Sequence, residues 1–172
     1  MYKHIFDLDN TIVFTDELNS EAYNYALSQL GKEHILNVGR ITREVVYSQY
    51  GLTDYEKKIL VEIKQKYFLN NLKKIKTNVD LISLLLRLRP SECILWTSAE
   101  DCRVKAILNY LNLTNAFSYV FYSKKASIKD DLKSICQYFQ CPKSHLKFYE
   151  DDSNVMKELK LLGINNILEV NP

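Results

Sequence analysis

The chain has 172 residues, 47% hydrophobic and 26% charged, and its 23 basic and 21 acidic side chains leave a net charge of only +2. That length suits one ordinary domain, or a compact domain with a modest insertion, and argues against two large domains. The near-neutral balance offers no footprint for nucleic acid. The most apolar run, Leu81 to Leu88, is broken by Ser83 and Arg87 and falls well short of the roughly 20 residues that a membrane helix needs. Neither a nucleic-acid nor a membrane partner is expected.

In chain order, Tyr2 to Phe6 reads as a buried strand, and Asp16 to Leu30 as a helix on the spacing of Leu18, Ala22, Tyr25, Ala26 and Gln29, with Gly31 as its stop. Helices follow at Thr42 to Tyr50 and Thr53 to Asn70, the latter opened by a capping box of Thr53 and Glu56. The character then changes. A helix from Val79 to Leu88 leads past Pro90 to a buried strand from Glu92 to Trp96 and a helix from Asp101 to Leu111. A strand at Tyr119 to Tyr122, a helix at Asp130 to Phe139, a strand at Leu146 to Tyr149, a helix at Asn154 to Leu162 and a strand at Asn166 to Val170 complete the pattern. Such alternation predicts an α/β fold, a doubly wound parallel sheet formed by residues 1–14 and 80–172. Residues 15–79 form a helical insertion after the first strand. Cys93, Cys102, Cys136 and Cys141 lack C-x-x-C spacing, and the start Met1-Tyr2-Lys3-His4 carries no secretory signal. Reduced thiols and a cytoplasmic location are the expectation. With 4 Gly and 3 Pro there is no glycine-rich phosphate or dinucleotide loop.

Chemistry gathers where the strands end. Asp7 and Asp9, in Asp7-Leu8-Asp9-Asn10-Thr11, leave the first strand two residues apart, and an extended chain points i and i+2 the same way. Two carboxylates held close need a shared proton, a cation or full hydration. The plainer reading is a turn, in which Asp and Asn bond their own backbone. The strand ending at Trp96 delivers Thr97 and Ser98. Capping a helix is the plainer reading, and an anion site is compatible with it, because a hydroxyl there stands beside free N–H groups. The strand ending at Tyr149 delivers Glu150, Asp151 and Asp152, more acid than a helix start requires. On one sheet edge with Asp7 and Asp9, they predict an all-oxygen Mg²⁺ site. Of the lysines in Ser123-Lys124-Lys125-Ala126-Ser127-Ile128-Lys129, Lys129 abuts the expected helix start and is the first choice to face the pocket. Lys125 is the second, and Lys124 stays open.

Taken together, Asp7-Leu8-Asp9-Asn10-Thr11, then Ile94-Leu95-Trp96-Thr97, a helix-leading lysine and Phe148-Tyr149-Glu150-Asp151-Asp152-Ser153 resemble the ordered motifs of the haloacid dehalogenase superfamily across nearly the whole chain. The insertion resembles the small helical cap of many members. The resemblance implies Asp7 as nucleophile and Asp9 as general acid and base. It implies Mg²⁺ held by Asp7, the Asp9 carbonyl and Asp152 with Asp151 beside it, and phosphoryl oxygens bound by Thr97 and Lys129. The acidic triplet leaves the metal register open by one residue. A Mg²⁺-dependent phosphatase acting on a small phosphorylated metabolite follows. A phosphomutase, or a phospho-accepting receiver module without turnover, are the alternatives. Dehalogenation would not need the proton donor Asp9. In the insertion, Gly39-Arg40-Ile41-Thr42-Arg43 offers Arg40 and Arg43 as contacts to a substrate's distal group, against the plainer reading of surface arginines.

Overall fold

Apolar strands with little polar alternation need cover on both faces, and the first of them, β1 (Lys3–Phe6), lies in the middle of a five-stranded sheet. The computed structural model describes residues 2–36 and 40–171. In chain order the further elements are β2 (Val13–Phe14), α1 (Asp16–Gln29), α2 (Arg43–Gln49), α3 (Asp54–Asn70), β3 (Lys76–Thr77), α4 (Val79–Leu85), β4 (Cys93–Thr97), α5 (Asp101–Tyr110), β5 (Tyr119–Tyr122), α6 (Ile128–Phe139), β6 (Leu146–Glu150), α7 (Ser153–Leu161) and β7 (Ile167–Glu169). The chain forms two units, one of residues 1–14 and 77–172, the other of residues 15–76. Their second junction lies at 76/77 instead of the expected 79/80, and the Asn78 N–H donating to the Ile12 carbonyl (2.9 Å) ties that stretch to the sheet unit.

In the sheet unit the strand order is β5-β4-β1-β6-β7, and every pairing is parallel. This is the expected doubly wound α/β architecture. The chain runs outward from β1 to β4 and β5, then crosses back to β6 and β7. The order therefore reverses between β1 and β6, and at such a switch the carboxyl ends of the strands open a crevice. Ile5, Ile94, Trp96 and Phe148 from the sheet pack with Ile128, Leu132 and Ile135 of α6 and Val155 and Leu159 of α7. Each helix thus buries one stripe at three- and four-residue spacing. Truncating one of these buried side chains to Ala costs about 2–5 kcal/mol.

Two element bounds move by more than one residue from expectation. Helix α4 stops at Leu85, before Leu88, and the chain turns there ahead of Pro90. Helix α6 starts at Ile128 instead of Asp130, because Ile128 belongs to the buried stripe and must already be helical to reach it.

The helical unit packs Tyr23, Ala26 and Leu27 of α1 against Val46 of α2 and Leu60 of α3, with Ile35, Ile41 and Leu52 filling between them. The capping box forms: the Glu56 N–H donates to Thr53 Oγ1 (3.2 Å) and the Thr53 N–H to Glu56 Oε2 (2.8 Å). Lys64 is buried, its ammonium 5.1 Å from the Tyr23 ring centroid and 5.3 Å from that of Phe68.

Candidate functional site

The site grows from the end of β1. The Asp7 N–H still donates to the Tyr149 carbonyl (3.0 Å), which holds Asp7 beside the last residue of β6, Glu150. Beyond Asp7 the chain turns sharply: the Ile12 and Val13 N–H groups donate to the Leu8 carbonyl (3.0 and 3.1 Å), and the Asn10 N–H to Val13 (2.6 Å). Asn10 takes φ of 60°, a left-handed conformation that Asn tolerates better than most residues. The expected turn is present, and it carries Asp9 away from the strand direction.

Lys125 is the centre of the charge arrangement. Its Nζ donates to Asp7 Oδ1 and to Glu150 Oε2, both at 2.7 Å, and lies 4.5 Å from the Trp96 ring centroid. All three charged side chains are almost fully buried. Asp7, Glu150 and Asp151 each offer a carboxylate oxygen, these lying within 4.8 Å of one another. Thr11 Oγ1 donates to Asp151 Oδ1 (3.3 Å). Burial pushes the Asp7 carboxyl up to about 8, with Glu150 and Asp9 adding to the rise and Lys125 opposing it. Asp151 is raised to about 6, first by burial and then by Glu150. Burial pulls the Lys125 ammonium down, but the Asp7 and Glu150 carboxylates outweigh it and hold it above its ordinary value. Crowded acid with one lysine among it is relieved by bound protons or by a further cation, and an all-oxygen donor set would suit a hard divalent ion.

Two expected residues stand elsewhere. Lys129 is exposed in the first turn of α6, and Lys125 takes the place beside Asp7. The reason is the earlier start of α6: with Ile128 turned into the core, the next residue is rotated out to solvent, while Lys125, at φ of 54°, sits in the turn that precedes the helix. The apolar spacing of Ile128, Leu132 and Ile135 was the signal for that start. Asp152 turns away as the cap of α7, accepting from the Asn154 (2.8 Å) and Val155 (3.3 Å) N–H groups. Glu150 enters the acidic cluster instead, because β6 runs one residue longer than expected and carries it to the rim beside Asp7. Asp9 accepts from Arg103 Nη2 through Oδ1 at 2.5 Å, and its charge adds to the rise of Asp7.

Thr97 is buried at the end of β4, its Oγ1 accepting from the Ala99 N–H (3.1 Å); it does not form the expected helix cap, since α5 has Glu100 at its N-cap. Ser98 is exposed, and its carbonyl accepts from Lys124 Nζ (3.4 Å). Both line the rim on the strand next to β1. Ser98, Lys124, Lys125, Asp152 and Asn154 border a cavity of about 240 Å³. In the helical unit, Arg40 Nε lies 3.3 Å from Asp16 Oδ1, and Arg43 bonds the Tyr23 hydroxyl. Gly39 falls outside the described residues.

Sequence reasoning passed over Arg103. Its signal was a charged residue on the apolar face of α5, where Val104, Ile107 and Leu108 are buried with it.

A family model described as haloacid dehalogenase-like hydrolase matches residues 4–169. Among solved structures, a candidate phosphatase from Clostridium difficile is similar at a TM-score of 0.74 and 20% identity, over 98% of this chain and 84% of that one. A candidate beta-phosphoglucomutase from Thermotoga maritima gives 0.75 and 21%, over 98% and 85%. CbbY from Rhodobacter sphaeroides, in complex with phosphate, gives 0.75 and 16%, over 95% and 84%. No curated sequence matches. Among the described residues no helix is long and apolar enough to cross a membrane.

Proposed function

Since the chain belongs to the haloacid dehalogenase-like hydrolases, we propose that it is a Mg²⁺-dependent phosphomonoesterase that works through a phosphorylated Asp7. The observation that carries this reading is the buried Asp7–Lys125–Glu150 arrangement, with its clustered acidic oxygens, at the switch between β1 and β6. The phosphate-bound CbbY, alike in fold, supports a phosphorylated ligand.

In this reading Asp7 Oδ attacks phosphorus and the bond from phosphorus to the ester oxygen breaks, while Asp9 gives its proton to the departing oxygen. Asp9, now a carboxylate, takes a proton from water. The water oxygen attacks the same phosphorus, the bond to Asp7 breaks, and inorganic phosphate leaves. Lys125 opposes the rise that burial imposes on Asp7 and presents positive charge to the transferring group, with Thr97 as a further donor at the rim. Asp7, Glu150 and Asp151, with the Asp9 carbonyl that the family implies, would hold Mg²⁺. When bound, it supplies charge compensation for the phosphoryl oxygens. Asp152 is left to cap α7.

The helical unit, inserted after β1, is assigned the choice of substrate, a small phosphorylated metabolite, with Arg40 and Arg43 as its candidate contacts. A cytoplasmic location suits the four free cysteines. A phosphomutase would pass the phosphoryl group to a second hydroxyl instead of water, so release of inorganic phosphate separates the two readings.

The test is hydrolysis of p-nitrophenyl phosphate with Mg²⁺ and with EDTA. Multiple turnovers that require Mg²⁺, together with a loss of at least about 10³-fold in Asp7→Asn, are the expected result. An Asp7→Asn protein that turns over at the parent rate would overturn the mechanism.

A further inference from the structure

Arg103 has no place in the chemistry described so far, yet the sheet unit buries it. It stands in the first turn of α5, on the face that carries Val104, Ile107 and Leu108 into the core, with only 11% of its side chain exposed. A guanidinium is too costly to desolvate on an apolar helix face unless a carboxylate meets it there. The carboxylate that meets it is Asp9, which sits in the tight turn closed by the Asn10 to Val13 hydrogen bond. The helix start is itself anchored. Tyr122 Oη donates to Asp101 Oδ1 (2.7 Å), Lys105 Nζ lies 2.8 Å from Asp101 Oδ2, and the Thr97 hydroxyl holds the Ala99 N–H just ahead of it.

We infer that Arg103 is a positioning residue for Asp9, fixing its carboxylate for the proton transfers. The inference rests on the phosphatase reading. A planar guanidinium sets the direction of a carboxylate as a lysine ammonium does not. Asp9 stands on a loop, where side-chain freedom would otherwise spread its oxygens over several orientations, and proton transfer tolerates little misplacement. Arg103 touches neither phosphorus nor the leaving group in this role. It acts through Asp9.

p-Nitrophenyl phosphate separates this role from general damage to the fold. Its leaving group departs without a proton, so phosphorylation of Asp7 does not need Asp9, whereas hydrolysis of the phosphorylated enzyme does. With Mg²⁺ present, Arg103→Met is expected to keep the first, single-equivalent release of nitrophenolate and to lose about 10- to 100-fold in the steady rate, the range typical when an orienting partner is removed. Arg103→Lys should recover part of that loss. Asp9→Asn combined with Arg103→Met should be no slower than Asp9→Asn alone, because a residue acting only through Asp9 has nothing further to lose. Parent-like steady turnover in Arg103→Met, or losses that multiply in the double variant, would overturn the inference and leave the phosphatase reading intact. If Arg103→Met does not fold, the same cycle is run with Arg103→Lys. A parent protein that shows no Mg²⁺-dependent turnover removes both.

Discussion

In the sheet unit, Lys125, Asp7 and Glu150 are paired with side-chain exposures of 10%, 7% and 2%, whereas in the helical unit Lys74–Glu21 and Lys76–Glu17 are paired at exposures of 40% or more. The distances are alike, 2.6 to 2.7 Å, and the energetics are not. Exposed pairs gain little, because water screens them and two long side chains must be ordered. Buried pairs give up hydration that their mutual attraction only partly returns. A fold has no use for a buried lysine between two buried acids when apolar packing would serve better. Such a cluster is therefore a candidate for a role other than stability.

The sharpest way to break this contrast is Lys125→Met. Among the described residues Lys125 is the cation seen bonding both Asp7 and Glu150; its removal leaves buried acid uncompensated once that acid is ionised, and above about pH 8 the loss should be on the order of 3–5 kcal/mol in urea denaturation without metal. Mg²⁺ should return part of it. A variant as stable as the parent would mean that the acids are neutral in the resting protein.

The second test is pH. Asp7 and Asp151 stand at about 8 and about 6, above the ordinary value near 4 for an unfolded Asp. Both therefore bind protons more tightly folded than unfolded. Their contribution to stability is complete below about pH 4 and is lost as pH rises through 6 and then 8. Because Mg²⁺ competes with those protons, its stabilising effect should grow across the same window, as read by melting temperature at about pH 5, 7 and 9 with and without EDTA. Asp7→Asn should remove the upper step. A Mg²⁺ effect that is flat with pH would contradict the arrangement.

Smaller still is Asp152→Ala. Loss of the α7 cap should cost about 1 kcal/mol, while the Mg²⁺ concentration needed for half-maximal stabilisation stays unchanged. Asp151→Asn should raise that concentration instead. The reverse pattern would return Asp152 to the metal site. Smallest of all, Lys76→Ala should leave the melting temperature unmoved, since its pair with Glu17 is open to water.

Much of the site was legible because its residues lie at predictable strand ends. Asp7, Thr97 and the 150–152 triplet could each be placed from where an apolar run stops. The departures are short in sequence. Starting α6 at Asp130 instead of Ile128 favoured Lys129 over Lys125, whereas Asp152 as a ligand comes from the family resemblance, and the structure instead groups Glu150, at the end of β6, with Asp7 and Asp151. At a strand end, one residue decides whether a carboxylate faces the pocket or caps the following helix. At a helix start, one residue turns the side chain by about 100°.

Periodicity and composition were enough to determine the alternating elements, the parallel sheet and the two aspartates of the first turn, because local spacing records which face each segment must bury. The order of strands, the meeting of Asp7 with Lys125 and Glu150, and the contact of Arg103 with Asp9 were decided only in three dimensions. Those partners are separated by 118, 25 and 94 positions along the chain. No local preference specifies such pairs; they form because burying the sheet brings charged groups together that must then neutralise one another.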